Sequence, residues 1–287
     1  MKLLSGHKST IFILSLGLLM ACTGKEKIKE NQIKFETVKL DTMVNLFNDS
    51  TKPKCDFSLE MVYPSAGESQ EKLTKLQELF VADYFGDKYI GQIPTIAANS
   101  YMKDYVENYL LLEEDYKKFK SEDNDNMVGA WMNYVEKSSS SIYFNAGNII
   151  SYTINFYTYT GGAHGMQANT NFVIDAKNNT PITLVDIFSE SNFEEVAKII
   201  ISTIAADRGY TDPKQLNEEG FFSLEEVSPT DNFLVNEKGM KWTYNPYEIA
   251  VYAAGTIEVF VEWDKLIPYI IEESPVLPII NSQPIAN

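Results

Sequence analysis

The chain has 287 residues, 44% of them hydrophobic and 13% aromatic, enough to fill one or two cores of ordinary domain size. Its 40 acidic side chains against 24 basic ones give a net charge of −16. A chain this acidic is a poor partner for nucleic acid or anionic lipid headgroups and steers basic partners toward itself.

Lys2 and Lys8 open the chain with positive charge, and residues 11–21 (IFILSLGLLMA) are uncharged and apolar. That run suits a signal peptide and is too short to cross ~30 Å of hydrocarbon, which takes about 20 residues. It ends in Leu19-Met20-Ala21-Cys22, a match to the lipobox, where small residues admit the peptidase and the cysteine sulfur accepts diacylglycerol. The expectation is an exported lipoprotein whose signal peptide, residues 1–21, is cleaved before Cys22. No later apolar segment reaches spanning length, so lipid on Cys22 is the expected membrane anchor. Thr23 stands where an aspartate would favour inner-membrane retention, so outer-membrane placement is expected in a Gram-negative source. Loss of residues 1–21 removes two lysines and no acid, leaving the mature chain more acidic still.

Residues 22–33 are polar and without periodicity, as in a flexible tether. Alternation then predicts strands over residues 33–40 and 55–63. With Cys22 lipidated no intramolecular disulfide is possible, and Cys55 reads as a buried, inert thiol on the core face of the second strand. Helical spacing follows over residues 67–84, and a longer helix over residues 96–119 carries the stripe Tyr101, Tyr105, Leu112, Tyr116 and Phe119, which reads as core. Residues 121–126 (SEDNDN) form an acidic loop. Asp123 and Asp125 begin a calcium-loop pattern that Met127 breaks, and Tyr134 stands where the closing glutamate would be.

Residues 131–136, 140–144 and 149–160 read as antiparallel strands, with Ala146-Gly147-Asn148 turning between the last two. Residues 167–175 form another strand, and Lys177-Asn178-Asn179 folds it onto residues 180–184. Ser191 and Glu194 suggest a capping box for a helix running to about Asp207, with Gly209 as its stop. Asn236 to Gly239 read as a hairpin turn, residues 256–261 as a strand, and residues 265–270 as a short helix capped by Asp264. Residues 272–287, with three prolines, read as a tail ordered only in part. Clustered strands and helices predict an α+β fold, antiparallel sheets packed with helices, in two closely associated modules.

The chemistry on offer is narrow. Residues 22–287 contain one histidine, His164, whereas a zinc hydrolase normally uses three protein ligands rich in His or Cys. No HExxH, GxSxG, GxxxxGK[ST] or helix-opening GxGxxG occurs, and no pair of carboxylates stands out. No metal or cofactor is implied. The feature that stands apart is Tyr157-Thr158-Tyr159-Thr160-Gly161-Gly162-Ala163-His164-Gly165. Three glycines within five residues indicate positive φ or close packing. Such a turn either forms an anion-binding nest with His164 as a further donor, or is a tight inter-strand turn in which His164 meets a carbonyl. On the strand before it, Ser151, Thr153, Asn155, Tyr157 and Tyr159 share one face. That face is either a glycan- or protein-binding surface or ordinary cross-strand packing.

The segment from this turn through Asp175, Thr180-Pro181-Ile182-Thr183-Leu184 and Asp186-Ile187-Phe188 resembles the extracytoplasmic region of the RsiV-like, lysozyme-sensing anti-sigma factors. So does Tyr244-Asn245-Pro246-Tyr247-Glu248-Ile249-Ala250 with Tyr252-Ala253-Ala254-Gly255. The resemblance implies a PdaC-like module over residues 34–165, named after a peptidoglycan deacetylase, then a domain of unknown function over residues 166–271. The sigma-binding segment and membrane span of those proteins have no counterpart here, and the histidine-rich deacetylase site belongs to a different domain. The implied function is a lipid-anchored, non-enzymatic binding protein of the cell envelope, with lysozyme or another basic protein, or cell-wall glycan, as ligand. Candidate binding residues are Tyr157, Tyr159, Gly161, Gly162, His164 and Gly165. The alternative is an envelope hydrolase acting on peptidoglycan or glycan, with His164 in the site.

Overall fold

The computed structural model describes residues 28–120 and 131–281. The signal segment, Cys22 and the acidic loop at residues 121–126 lie outside the described residues. Alternation produces a long antiparallel pair, β1 (Lys34–Asn45) and β2 (Lys54–Ala66), each longer than the sequence pattern alone suggests. Phe57, Leu59 and Met61 on one face of β2 are buried, as is Cys55, whose thiol desolvation pushes above its ordinary pKa. The thiol is therefore unreactive, as its alternation with core positions predicts.

Three helices follow. In α1 (Gln70–Phe85) the Ser69 side chain caps the N-terminus by accepting the Lys72 N–H, and α2 (Pro94–Leu110) starts on a proline. The predicted single helix over residues 96–119 is interrupted after Leu110, and α3 (Leu112–Lys120) continues beyond it. The interruption leaves Leu111 exposed, while Tyr109 and Tyr116 join Leu46, Cys55 and Met132 in a small core. Phe119, read as core from the sequence, lies 48% exposed.

The chain then returns as β3 (Tyr134–Ala146), which lies parallel to β2. Parallel neighbours need a crossover, and the three helices supply it. The sheet is therefore mixed rather than wholly antiparallel, within an α+β fold. β3 is one strand where the sequence pattern suggests two. The ladder between β2 and β3 ends at Glu60 and Ser139, and beyond it the Ser140 hydroxyl accepts the Val62 N–H at 2.8 Å. Ser140 thus keeps the strand attached by its side chain where backbone pairing stops.

Antiparallel β4 (Ile149–Tyr159), β5 (Met166–Asp175) and the short β6 (Thr180–Pro181) complete a six-stranded sheet in chain order. Strand β5, which the sequence reading placed in the C-terminal domain, is paired along its length with β4. One face of the sheet packs on α1 and α2, with Phe80 stacked on Tyr152 at 4.1 Å. Residues 28–33 lie along the β3–β4 turn, where the Asn31 amide donates to Asn145 and to the Ile149 carbonyl.

A three-stranded antiparallel sheet, β7 (Phe233–Val235), β8 (Gly239–Tyr244) and β9 (Ile257–Glu262), forms the second core with α4 (Phe193–Asp207). Helix α4 ends at Gly209 as predicted, but the capping box at Ser191 does not form. A short turn of helix over residues 190–192 precedes α4, and the Ser191 hydroxyl pairs with Ser189 instead. Residues 272–281 are better ordered than the sequence suggests. Val276, Ile279 and Ile280 are buried in the second core, two of them on α6 (Leu277–Asn281), which follows the short α5 (Trp263–Leu266).

The second sheet covers part of the face that the helices leave open. Ile149 and Val173 of the first sheet enter the second core, and a polar seam runs beside them. The Ser151 hydroxyl donates to the Val235 carbonyl at 2.8 Å and accepts the Val235 N–H at 3.2 Å. The Asn171 amide donates to Thr243 Oγ1 at 2.8 Å, and Asn232 bridges both sheets. Buried polar groups are tolerated here because each meets a partner.

Candidate binding surface

Beyond β4 the glycine turn is built by steric necessity. Gly161 has φ 92° and Gly162 φ 107°, a region that L side chains avoid. A Cβ on Gly161 would also stand 2.5 Å from the Trp131 carbonyl oxygen, whereas one on Gly162 would meet nothing within 4 Å. Gly165 has an ordinary φ, and close approach is what demands a glycine there. A Cβ at Gly165 would lie 2.4 Å from the Tyr157 hydroxyl. We expect Gly161→Ala to cost roughly 2 kcal/mol and Gly162→Ala roughly 1 kcal/mol. Thermal melts should rank them in that order, with His164→Ala no worse than Gly162→Ala. Equal losses at the two glycines would refute the clash with Trp131.

The turn is closed by tyrosines. The Tyr159 hydroxyl donates to the Gly162 carbonyl at 3.0 Å. His164 Nδ1 lies 3.0 Å from the Gly165 carbonyl, and the Tyr252 hydroxyl donates to that same oxygen at 3.0 Å. The imidazole stacks on Tyr252, ring centres 4.4 Å apart, and Tyr247 follows at 5.4 Å from Tyr252. Tyr247 holds φ 73°, which is costly for a bulky side chain, and is 56% exposed. The two sequence motifs, far apart in the chain, therefore meet in one aromatic ledge of His164, Tyr247 and Tyr252. Sequence reasoning singled out Tyr157 and His164 as binding residues and missed Tyr247 and Tyr252, although both stand in the second motif.

Among the described residues the imidazole's hydrogen-bonding partner is a backbone carbonyl, with no carboxylate, serine or cysteine against it. No group of three His, Cys, Asp or Glu side chains that would hold a metal occurs among the described residues.

The polar face of β4 is divided rather than continuous. Ser151 is fully buried beneath Val235, while Asn155 and Tyr157 line a groove of about 530 Å³ across the uncovered part of the first sheet. Strand register arranges its side chains in two transverse rows. One runs Asp41, Ser58, Lys137, Tyr157, Gln167; the other runs Lys39, Glu60, Ser139, Asn155, Asn169. Apart from Asn155 and Tyr157, these positions were not read from the sequence as a site.

A family model described as deacetylase PdaC matches residues 50–167, and one described as a protein of unknown function, DUF3298, matches residues 185–264. The chain carries a PdaC module followed by a DUF3298 domain. This is the order that the sequence resemblance implies. The crystal structure of a DUF3298 family member from Bacteroides fragilis is similar, with a TM-score of 0.82 and 27% identity, over 89% of this chain and 100% of that one. A DUF3298 family protein from Pseudomonas aeruginosa shares the fold, with a TM-score of 0.57 and 13% identity over 84% of this chain and 97% of that one. No curated protein matches. In family terms, β4 and the whole glycine turn with His164 belong to the PdaC module, while Tyr247 and Tyr252 belong to the DUF3298 domain. The aromatic ledge is thus a joint product of the two.

Proposed function

We propose that this PdaC–DUF3298 chain is a lipid-anchored, non-enzymatic binding protein of the cell envelope, and that the aromatic ledge is its contact surface. The observation that carries the reading is the convergence of His164, Tyr252 and Tyr247 from two modules onto one exposed face. Exposed aromatic clusters are costly to leave in water and serve as anchors at interfaces, where tyrosine is enriched. Cys22 provides the anchor and residues 22–27 the link to it. The resemblance to RsiV-like proteins supports lysozyme as the partner, and the net charge of −16 suits so basic an enzyme. A hydrolase reading gains no support from an imidazole closed against a carbonyl with no nucleophile beside it.

The test is capture of the full-length protein, in mild detergent, on immobilised lysozyme. Tyr247→Ala should weaken capture by roughly tenfold, the loss of one exposed aromatic anchor. Raising salt from about 0.05 to 0.5 M should weaken it further, because the Debye length shrinks across that range. Cys22→Ala should abolish lipid labelling and release the protein from membranes. Capture that ignores both Tyr247 and salt would overturn the partner, and a labelled, membrane-bound Cys22→Ala protein would overturn the anchor.

A further inference from the structure

The groove on the first sheet is a second surface with its own chemistry. Its depth comes from small side chains at the centre, Ser58 on β2 and Ser139 on β3, flanked by the taller Lys39, Lys137 and Tyr157. Adjacent strands lie about 4.8 Å apart, so two rows spanning five strands make a track roughly 19 Å long. A floor of that length fits a chain of several units rather than a single small molecule.

The hydrogen-bonding state of the floor is the telling observation. In the seam a short distance away, Asn171, Asn232 and Asn245 are all engaged with protein partners. In the groove, among the described residues, the side chains of Ser58, Ser139, Asn155, Gln167 and Asn169 make no hydrogen bond to another protein group. Each hydroxyl and amide can both donate and accept, so five side chains present an unspent, two-way hydrogen-bonding surface. The charges are balanced row by row: Asp41 against Lys137 in one, Lys39 paired with Glu60 at 2.8 Å in the other. In a protein of net charge −16 this is a locally neutral strip.

These properties select a ligand class. A polyanion or polycation gains nothing from neutral rows. A peptide added as a strand needs an open sheet edge, and β2, β3 and β4, which carry the floor of the groove, are each paired on both sides there. An apolar ligand would find Leu40, Leu59, Phe156 and Tyr157 set among ten polar or charged residues. A neutral polysaccharide strand meets every term: hydroxyl or acetamido groups along its length for the serines and amides, and an apolar ring face to stack on Tyr157. We propose that this groove binds a neutral polysaccharide chain, laid across β1 to β5 along the two rows.

The experiment is titration of the full-length protein in mild detergent with chitohexaose and, separately, cellohexaose, followed by calorimetry. The first carries acetamido groups and the second hydroxyls alone, so the pair separates the two sources of hydrogen bonds. Binding of at least one is expected. Asn155→Leu keeps the size of the side chain, loses its amide and should weaken binding by roughly tenfold. Ser139→Tyr fills the floor at a half-buried strand position that faces the groove and should abolish binding while shifting the melting temperature by no more than about 4 °C. Lysozyme capture by Ser139→Tyr should be unchanged. Failure of both hexasaccharides to bind the unaltered protein, or binding that survives Ser139→Tyr, would overturn the groove assignment. Loss of lysozyme capture in the same variant would overturn its independence from the aromatic ledge. The two readings fail separately: lysozyme capture without hexasaccharide binding sinks the groove alone, and the reverse result sinks the ledge alone.

Discussion

Asn232→Ala should lower the melting temperature by roughly 5–10 °C, the effect of about 2–3 kcal/mol in a chain of this size. Asn232 joins the two sheets by three hydrogen bonds. Its carbonyl accepts the Asn171 N–H at 2.8 Å, and its amide donates to the Asn169 and Thr243 carbonyls, both at 2.9 Å. Truncation leaves the Asn171 N–H without its partner, takes one donor from the Thr243 carbonyl and leaves the Asn169 carbonyl only the Asn245 amide at 3.1 Å, and an orphaned polar group costs more than the bond it made was worth. Asn171 is 5% exposed, so little water reaches the gap. Thr243→Val removes only the neighbouring bond from the Asn171 amide and should cost about 1 kcal/mol more than a neutral change. The double variant should lose less than the sum, because both singles strand the same Asn171. Hydrogen exchange at the Asn171 amide should rise sharply in Asn232→Ala. An unchanged melting point with an unchanged Asn171 amide would show that the seam does not hold the modules together.

Stability should also fall as pH rises from 5 to 8, and Asp83 is the main reason. Its carboxylate accepts the Tyr152 hydroxyl under the stacked Phe80 ring, and desolvation pushes its pKa from 3.8 up to about 6 despite that hydrogen bond. Glu136, buried beneath α2 and accepting the Tyr101 hydroxyl at 2.7 Å, is raised for the same reason. A raised acid is neutral in the folded state where it is already ionised in the unfolded one. Its contribution is therefore complete below about pH 4 and is lost as pH climbs through 6. A shift of about two units corresponds to roughly 3 kcal/mol, reduced to about 2 kcal/mol because Asp83 keeps some contact with solvent. About half of that is already lost by pH 5, so the expected fall in melting temperature between pH 5 and pH 8 is roughly 2–4 °C. Exposed acids held low by their partners, such as Asp49, Glu68 and Glu71, act in the opposite sense but only below about pH 4.5. The optimum should thus lie near pH 5. Asp83→Asn retains an acceptor for Tyr152 and should flatten the slope. A variant that keeps the slope of the unaltered protein would remove Asp83 from the explanation.

The local signals of the sequence carried well into the structure. Alternation over residues 55–63 predicts which face of β2 is buried, because side chains on a strand alternate whatever surrounds them. The glycine turn announced itself by composition, and Gly161 and Gly162 hold the positive φ that such a turn requires. The order of a PdaC module before a DUF3298 domain was legible in two short motifs. The candidate positions Tyr157 and His164 stand close together in the chain, and the structure sets both against Gly165.

Tertiary structure alone decided the rest, and in each case the reason is that alternation and spacing say which way a side chain points but never what it meets. The parallel register of β2 on β3 is fixed by a crossover of three helices, and that register places Ser58 beside Lys137 and Glu60 beside Ser139. Without it the two rows of the groove do not exist. The stacking of His164 on Tyr252 requires the second sheet to settle on β4 and β5, an outcome set by the Ser151 and Asn232 seam. Residues 272–281 read as a loose tail because proline-rich composition reports local stiffness. Val276, Ile279 and Ile280 are ordered by an apolar site that the distant α4 and β8 create. A sequence determines its own periodicities; which surfaces are brought together to hide apolar area from water is a property of the whole chain.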